Sequence, residues 1–115
     1  MITDRFFQKH DQRHMEVLEQ VAQILNSAHP GVQLKRKYGI PMFVLKKNIA
    51  YLDIQKDTPI MGVVYGIHLE AIHHLLDFTG RKQIGHFQLT DLDEDKIEKL
   101  HTVIFTAVDF DLSRK

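Results

Sequence analysis

The sequence of 115 residues contains no cysteine. That absence removes disulfides, thiolate zinc sites, iron–sulfur ligation and cysteine nucleophiles together. Neither charge is in excess: Lys+Arg and Asp+Glu each number 15, and the formal net charge is zero. A nucleic-acid binder needs a positive surplus to displace counterions from phosphates, so balanced charge argues against that class. No apolar run approaches the length of a membrane span, and Met1-Ile2-Thr3-Asp4-Arg5 is charged early, without an apolar signal stretch. Serine is scarce. Ser27 and Ser113 are the only two, neither lies in a G-x-S-x-G elbow, and no glycine-rich phosphate loop is found. These absences predict a cytoplasmic, non-enzymatic protein with no cofactor, no nucleic-acid partner and no membrane partner.

Hydrophobic and charged contents of 43% and 26% are those of an ordinary globular chain. At this length residues 1–115 are expected to form one domain with its own core. Asp4 can cap a short helix carrying Phe6 and Phe7, and Asp11 can cap, or lie within, a longer helix running to about Ser27. Along the latter, Met15, Leu18, Ala22 and Leu25 form one apolar row and Val17, Val21, Ile24 and Ala28 the next, at the spacing of a buried helical stripe. Pro30-Gly31 ends it. Val32 to Tyr38, with Lys35-Arg36-Lys37, reads as extended chain or the end of a helical turn that approaches the first strand.

Gly39 to Gly66 reads as antiparallel strands. Ile40–Lys46 and Ile49–Gln55 flank a two-residue turn at Lys47-Asn48, and a third strand, Ile60 to Tyr65, follows a turn at Lys56-Asp57-Thr58-Pro59. In that register Lys46 faces Ile49, Val44 faces Tyr51 and Met42 faces Asp53. Strand parity then gathers Pro41, Phe43, Leu45, Ala50, Leu52 and Ile54 on a core face. The other face, with Ile40, Met42, Val44, Lys46, Ile49, Tyr51 and Asp53, is mixed: too polar for a core, too apolar for plain solvent. It can be a ligand groove, a dimer interface, or a surface covered by the Phe6-Phe7 helix. Gly62 marks a bulge or a close backbone approach.

Leu69, Ile72, Leu75 and Leu76 predict a short helix, stopped at Thr79-Gly80, and Lys82 to Leu89 a further strand in which Ile84, His86 and Gln88 alternate with Gly85, Phe87 and Leu89. Asp91, with Glu94 three residues later, predicts the cap of a last helix whose buried stripe is Ile97, Leu100, Val103, Ile104, Ala107 and Val108. The whole is an α+β arrangement: an antiparallel sheet of about four strands packed by N- and C-terminal helices.

Of the eight histidines, His10 and His14 share a helix face if one helix runs through both, while the adjacent pair His73-His74 diverges; neither matches an established ligand spacing. Asp91, Asp93, Glu94, Asp95 and Glu98 supply oxygens suited to a hard cation, yet they also sit where a helix N-terminus favours negative charge. Lys35-Arg36-Lys37, Lys46-Lys47 and Arg81-Lys82 beside Tyr38 and Tyr51 would suit single-stranded nucleic acid if they converged, against the balanced charge.

Several stretches in order, Lys37-Tyr38-Gly39-Ile40-Pro41-Met42-Phe43, Lys47-Asn48-Ile49-Ala50-Tyr51-Leu52, the strand end from Gly62 to Gly66, Gly80-Arg81-Lys82-Gln83-Ile84 and a final helix with Ala107, resemble the YdhG-like domain family of unknown function. The likeness runs from the Phe6-Phe7 region to about Asp109. It implies a small α+β fold, a cytoplasmic and mostly bacterial setting, and, for part of the family, frataxin-like iron handling; it carries over no catalytic residues. The sequence therefore predicts a domain that binds a small ligand or a protein partner, a second copy included, through Tyr38, Met42, Val44, Tyr51 and Asp53. The alternative is an iron-binding chaperone using Asp91, Asp93, Glu94, Asp95 and Glu98.

Overall fold

The computed structural model describes residues 2–7 and 11–114. Helix α1 spans Gln12–Ser27, strands β1 to β5 span Gln33–Lys37, Ile40–Val44, Asn48–Gln55, Thr58–Val63 and Gly85–Gln88, and helix α2 spans Glu94–Leu112. The strands form one antiparallel sheet in the order β1-β2-β3-β4-β5. The α+β class is as expected, with five strands instead of four. The additional one is β1, expected only as an approach segment; its residues are polar because it lies at the sheet edge, where only one neighbour supplies ladder bonds.

Two hairpins close on two-residue loops. Lys37 pairs with Ile40 around Tyr38-Gly39 (φ 56° and 77°), and Gln55 pairs with Thr58 around Lys56-Asp57 (φ 51° and 60°). Paired positive φ values are those of type I′ turns, whose twist matches that of the strands. The second turn is thus shorter than the expected Lys56–Pro59, and Pro59 sits inside β4 opposite Ile54.

The β2–β3 connection departs from the expected two-residue turn. Val44 pairs with Asn48 across a three-residue loop, and a register shift next to it leaves Phe43 opposite Ala50 and Met42 opposite Tyr51, not Asp53. A three-residue loop alone would reverse the parity of one strand relative to the other. The bulge at Ile49 restores it, so Phe43, Leu45, Ala50, Leu52 and Ile54 pack in the core and Ile40, Met42, Val44 and Tyr51 on the other face, as expected; the exceptions are Ile49, which joins the core, and Lys46, which turns to the end of α2.

Both α-helices pack on one sheet face. Leu18, Val21, Ala22 and Leu25 of α1 and Leu100, Val103, Ile104 and Val108 of α2 share a buried cluster with Phe43, Ala50, Leu52, Met61, Phe87 and Leu89. Of the two expected rows on α1, Val17, Ile24 and Ala28 are only partly buried; on α2, Ile97 is likewise half-buried. Phe7 enters the same cluster, and Phe6 lies under the Arg36 guanidinium at 4.6 Å, so this segment does not cover the opposite face. The Asp4 side chain and His10, and with them the proposed cap and the His10–His14 pair, lie outside the described residues. Asp11 caps α1 by accepting from the Arg13 amide at 2.7 Å. The cap of α2 is Asp93, not Asp91: its carboxylate accepts from the Lys96 amide at 2.9 Å, while Asp91 takes up a positive φ of 55° in the preceding turn. Between β4 and β5 the expected helix is two short 3-10 segments, Gly66–His68 and Glu70–Leu75. Among the described residues no helix is long and apolar enough to cross a membrane.

A buried carboxylate ties α2 to the sheet. Asp111, 3% exposed, accepts from the Lys46 amide at 2.7 Å and from the Lys47 amide at 3.2 Å, so it satisfies the loop that precedes the bulge. The Lys46 ammonium closes the clamp on the carbonyls of Leu112 and Arg114 at 2.9 and 2.8 Å, a cation at a helix C-terminus. Replacing Asp111→Ala deprives both amides of their acceptor, and the unfolding free energy should fall by about 1–3 kcal/mol in urea titrations. Lys56→Asn places a residue that tolerates positive φ in the β3–β4 turn; it should raise the unfolding free energy by about 0.5–1 kcal/mol, read as a higher denaturation midpoint with m unchanged.

Candidate functional site

The sheet face opposite the helices carries a second, smaller apolar cluster: Met42, Tyr51 and Ile60, with Ile40, Val44, Val64 and Ile84 packed against them. Every one of these residues comes from a strand or from a loop at its end, and among the described residues no α-helix contributes to this surface. Met42, Tyr51, Gly62 and His86 stand in one row across β2, β3, β4 and β5, each the ladder partner of the next.

Glycine at the third place in that row decides its shape. A β-carbon on Gly62 would lie 2.1 Å from Cζ of Tyr51, so the phenol ring occupies the space that any other residue would fill. Lying over Gly62, the ring brings its hydroxyl to 2.9 Å from Nε2 of His86, with the two rings edge to face at 85°. His86 is fixed in turn by backbone bonds exchanged with Asp77 at 2.8 and 2.9 Å. Gly62 was expected to mark a bulge or a close approach, and it marks the approach.

The Tyr51–His86 pair is buried, 9% and 8% exposed. Burial lowers the imidazole pKa from its ordinary 6.5, and the positive charge of Arg81 lowers it further, against the opposing pull of Asp77 and Asp53. Burial likewise raises the Tyr51 hydroxyl above its usual range, partly offset by Arg81. Near neutral pH the two therefore form an uncharged hydrogen-bonded pair.

Beside this row lies a groove of about 510 Å³. Ile40, Met42, Val64 and Ile84 give it apolar walls, Tyr51 its floor, and Tyr38, Asp53 and Gln55 its polar boundary. Of the residues predicted from the sequence, Tyr38, Met42, Tyr51 and Asp53 all line it. Tyr38 is 90% exposed at the rim, in the strained first position of its turn. Asp53 is half-buried and occupied locally, accepting from the Ile54 amide at 2.8 Å and from the Gln55 amide nitrogen at 3.1 Å. Val44 packs in the same cluster but is not part of the groove wall. Sequence reasoning missed Val64, Ile84 and His86; the alternation of Ile84 with His86 along the fourth expected strand was the available signal.

The other candidates do not gather. Among the described residues no three His, Asp or Glu side chains come together as a metal set. Asp93 caps α2 and Asp95 pairs with Lys99 at 2.9 Å, while Asp91 lies in the turn before them; Glu94 and Glu98 are exposed on α2. His73 bonds the Ile67 carbonyl through Nε2 at 2.6 Å. The basic residues are also dispersed: Lys37 reaches Asn48 Oδ1 at 2.7 Å, Lys46 the end of α2, and Arg81 the loop before β5.

Gly62→Ala should displace the Tyr51 ring and cost about 1–3 kcal/mol, whereas Tyr51→Phe, which keeps the packing and loses one hydrogen bond, should cost about 1 kcal/mol in the same urea titration. Because the folded His86 pKa is depressed, the unfolded chain binds more protons below about pH 6.5. Stability attributable to this group is therefore intact above that value and lost as the pH falls through it. Denaturation midpoints of the wild type should drop more steeply between pH 7 and 5 than those of His86→Gln; parallel curves would contradict the assignment.

No family model and no curated protein matches the chain. A solved structure does: the crystal structure of a protein of the DUF1801 family, YdhG from Bacillus subtilis, with a TM-score of 0.59 at 23% identity, covering 91% of this chain and 90% of that one. The five-stranded antiparallel sheet with its N- and C-terminal helices is thus the YdhG-like fold of DUF1801 proteins.

Proposed function

We propose that this chain is a non-enzymatic binding domain that takes a small ligand into the groove on the open face of its sheet. The observation that carries the reading is the groove itself: about 510 Å³, mainly apolar in its walls, with a few polar groups at its boundary and, among the described residues, no α-helix in its lining. Small-molecule sites are concave, fall between roughly 300 and 1,000 Å³, and combine apolar walls with a small number of placed polar groups. In support of the non-enzymatic reading, the Tyr51 hydroxyl and His86 Nε2 are engaged with each other, and neither Ser27 nor Ser113 lies near them in sequence or strand pairing. The placement of Asp91, Asp93, Glu94, Asp95 and Glu98 favours no second reading through iron.

Proton–nitrogen NMR of the labelled protein against a fragment library tests the proposal. Fragments should shift amides of Met42, Tyr51 and Ile84 in the wild type, and Ile84→Trp, which fills the groove, should weaken that binding at least about tenfold. Fragments that leave these amides unmoved at millimolar concentration would refute it. So would a dimer in light scattering whose dissociation on dilution moves the same amides, since a second copy would then occupy the face.

A further inference from the structure

Arg81 lies in the turn that leads into β5, beside the groove and outside its apolar walls. Its Nε donates to the Ile84 carbonyl at 3.2 Å and its Nη2 to the Asp77 carbonyl at 2.8 Å. Two carbonyls thereby fix the guanidinium plane, and among the described residues no carboxylate forms a salt bridge with it. A half-buried arginine held by main-chain oxygens keeps its full charge and its spare N–H groups for something else.

The guanidinium lines a second hollow, of about 360 Å³, together with Lys56, His86, Thr79 and Asp77. Asp77 makes no ion pair with it: the Asp77 carboxylate accepts from the Thr79 amide at 2.9 Å in its own turn, and the charge of Arg81 reaches it only at longer range. The two depressions adjoin. Gln55 lines both, and Ile84, whose carbonyl holds Arg81, forms a wall of the apolar groove.

We propose that groove and hollow are the two halves of one site for a small organic carboxylate, its flat apolar body against Met42, Ile84 and the Tyr51 ring and its carboxylate on Arg81. This rests on the groove reading above and adds the charge of the ligand. Arginine matches a carboxylate with two parallel N–H···O bonds, a geometry that the fixed plane prepares. Asp53 at the groove and Asp77 at the hollow disfavour a dianion such as a phosphate monoester, so a single negative charge fits best.

Titrations of 1-naphthoate and of 1-naphthamide, the same ring system with and without the charge, followed by NMR on the intact chain, separate the two claims. Naphthoate should bind about tenfold tighter than naphthamide and weaken as salt is raised, while naphthamide should not respond to salt. Arg81→Gln should abolish the difference by weakening naphthoate alone, with Arg81→Lys in between. Equal affinities in the wild type, or a preference for naphthoate that survives Arg81→Gln, would overturn the carboxylate inference and leave the groove reading standing. If neither compound shifts the groove amides at millimolar concentration, both readings fall. The salt comparison needs no variant, so it decides the point even if Arg81→Gln disturbs the turn.

Discussion

The structure depends on one asymmetry: both amphipathic helices bury their apolar stripes against the same face of the sheet. Leu18, Val21 and Leu25 from one side and Leu100, Val103 and Ile104 from the other close over Phe43, Leu52, Met61 and Phe87. Burial of this kind is the main favourable term in folding, and it uses every apolar helical row the chain has. Among the described residues no further α-helix is left for the opposite face, which satisfies its partly apolar residues within the sheet. It does so by cross-strand packing, with the Tyr51 ring laid over Gly62 and hydrogen-bonded to His86.

That second face is where structure and chemistry meet. The residues that keep it from being a core, Asp53, His86 and the nearby Arg81, are held by bonds to backbone and to the Gln55 and Tyr51 side chains, and none closes the groove between Tyr38 and Ile84. The clamp of Asp111 on the Lys46 and Lys47 amides serves the same geometry from a distance. It anchors the loop next to the Ile49 bulge, and the bulge keeps Met42 and Tyr51 on one side of the sheet.

Much of this was legible in the residue pattern. The two α-helices, the side of each that is buried, and the division of β2 and β3 into a core set and a mixed set follow from periodicities of 3.6 and 2, which are local properties. Of the four expected residues that line the groove, Met42, Tyr51 and Asp53 follow from the same parity, while Tyr38 lies in the turn before β2. The failures share a different cause. Gln33 to Lys37 carries no alternation to mark it as a strand, and becomes one because β2 offers it an edge. The 69–76 segment has helical spacing but is drawn into 3-10 turns as the chain crosses from β4 to β5. Asp111 continues the buried row of α2 after Ala107 and Val108, a signal that was present, but only contact with the 45–47 loop explains a carboxylate there.

The sequence by itself determined which residues avoid water, and through that the class of fold and the two faces of its central hairpin. Amphipathic spacing is written within a few residues and needs no knowledge of what lies opposite. Only the tertiary structure decided that both helices choose one face, that Gly62 stands across from Tyr51, and that Tyr51 meets His86, far along the chain, beside the groove. Those relations are set by strand register and by a loop-plus-bulge that compensate each other. The energy differences between alternative registers arise from contacts between distant segments, so no local pattern records them.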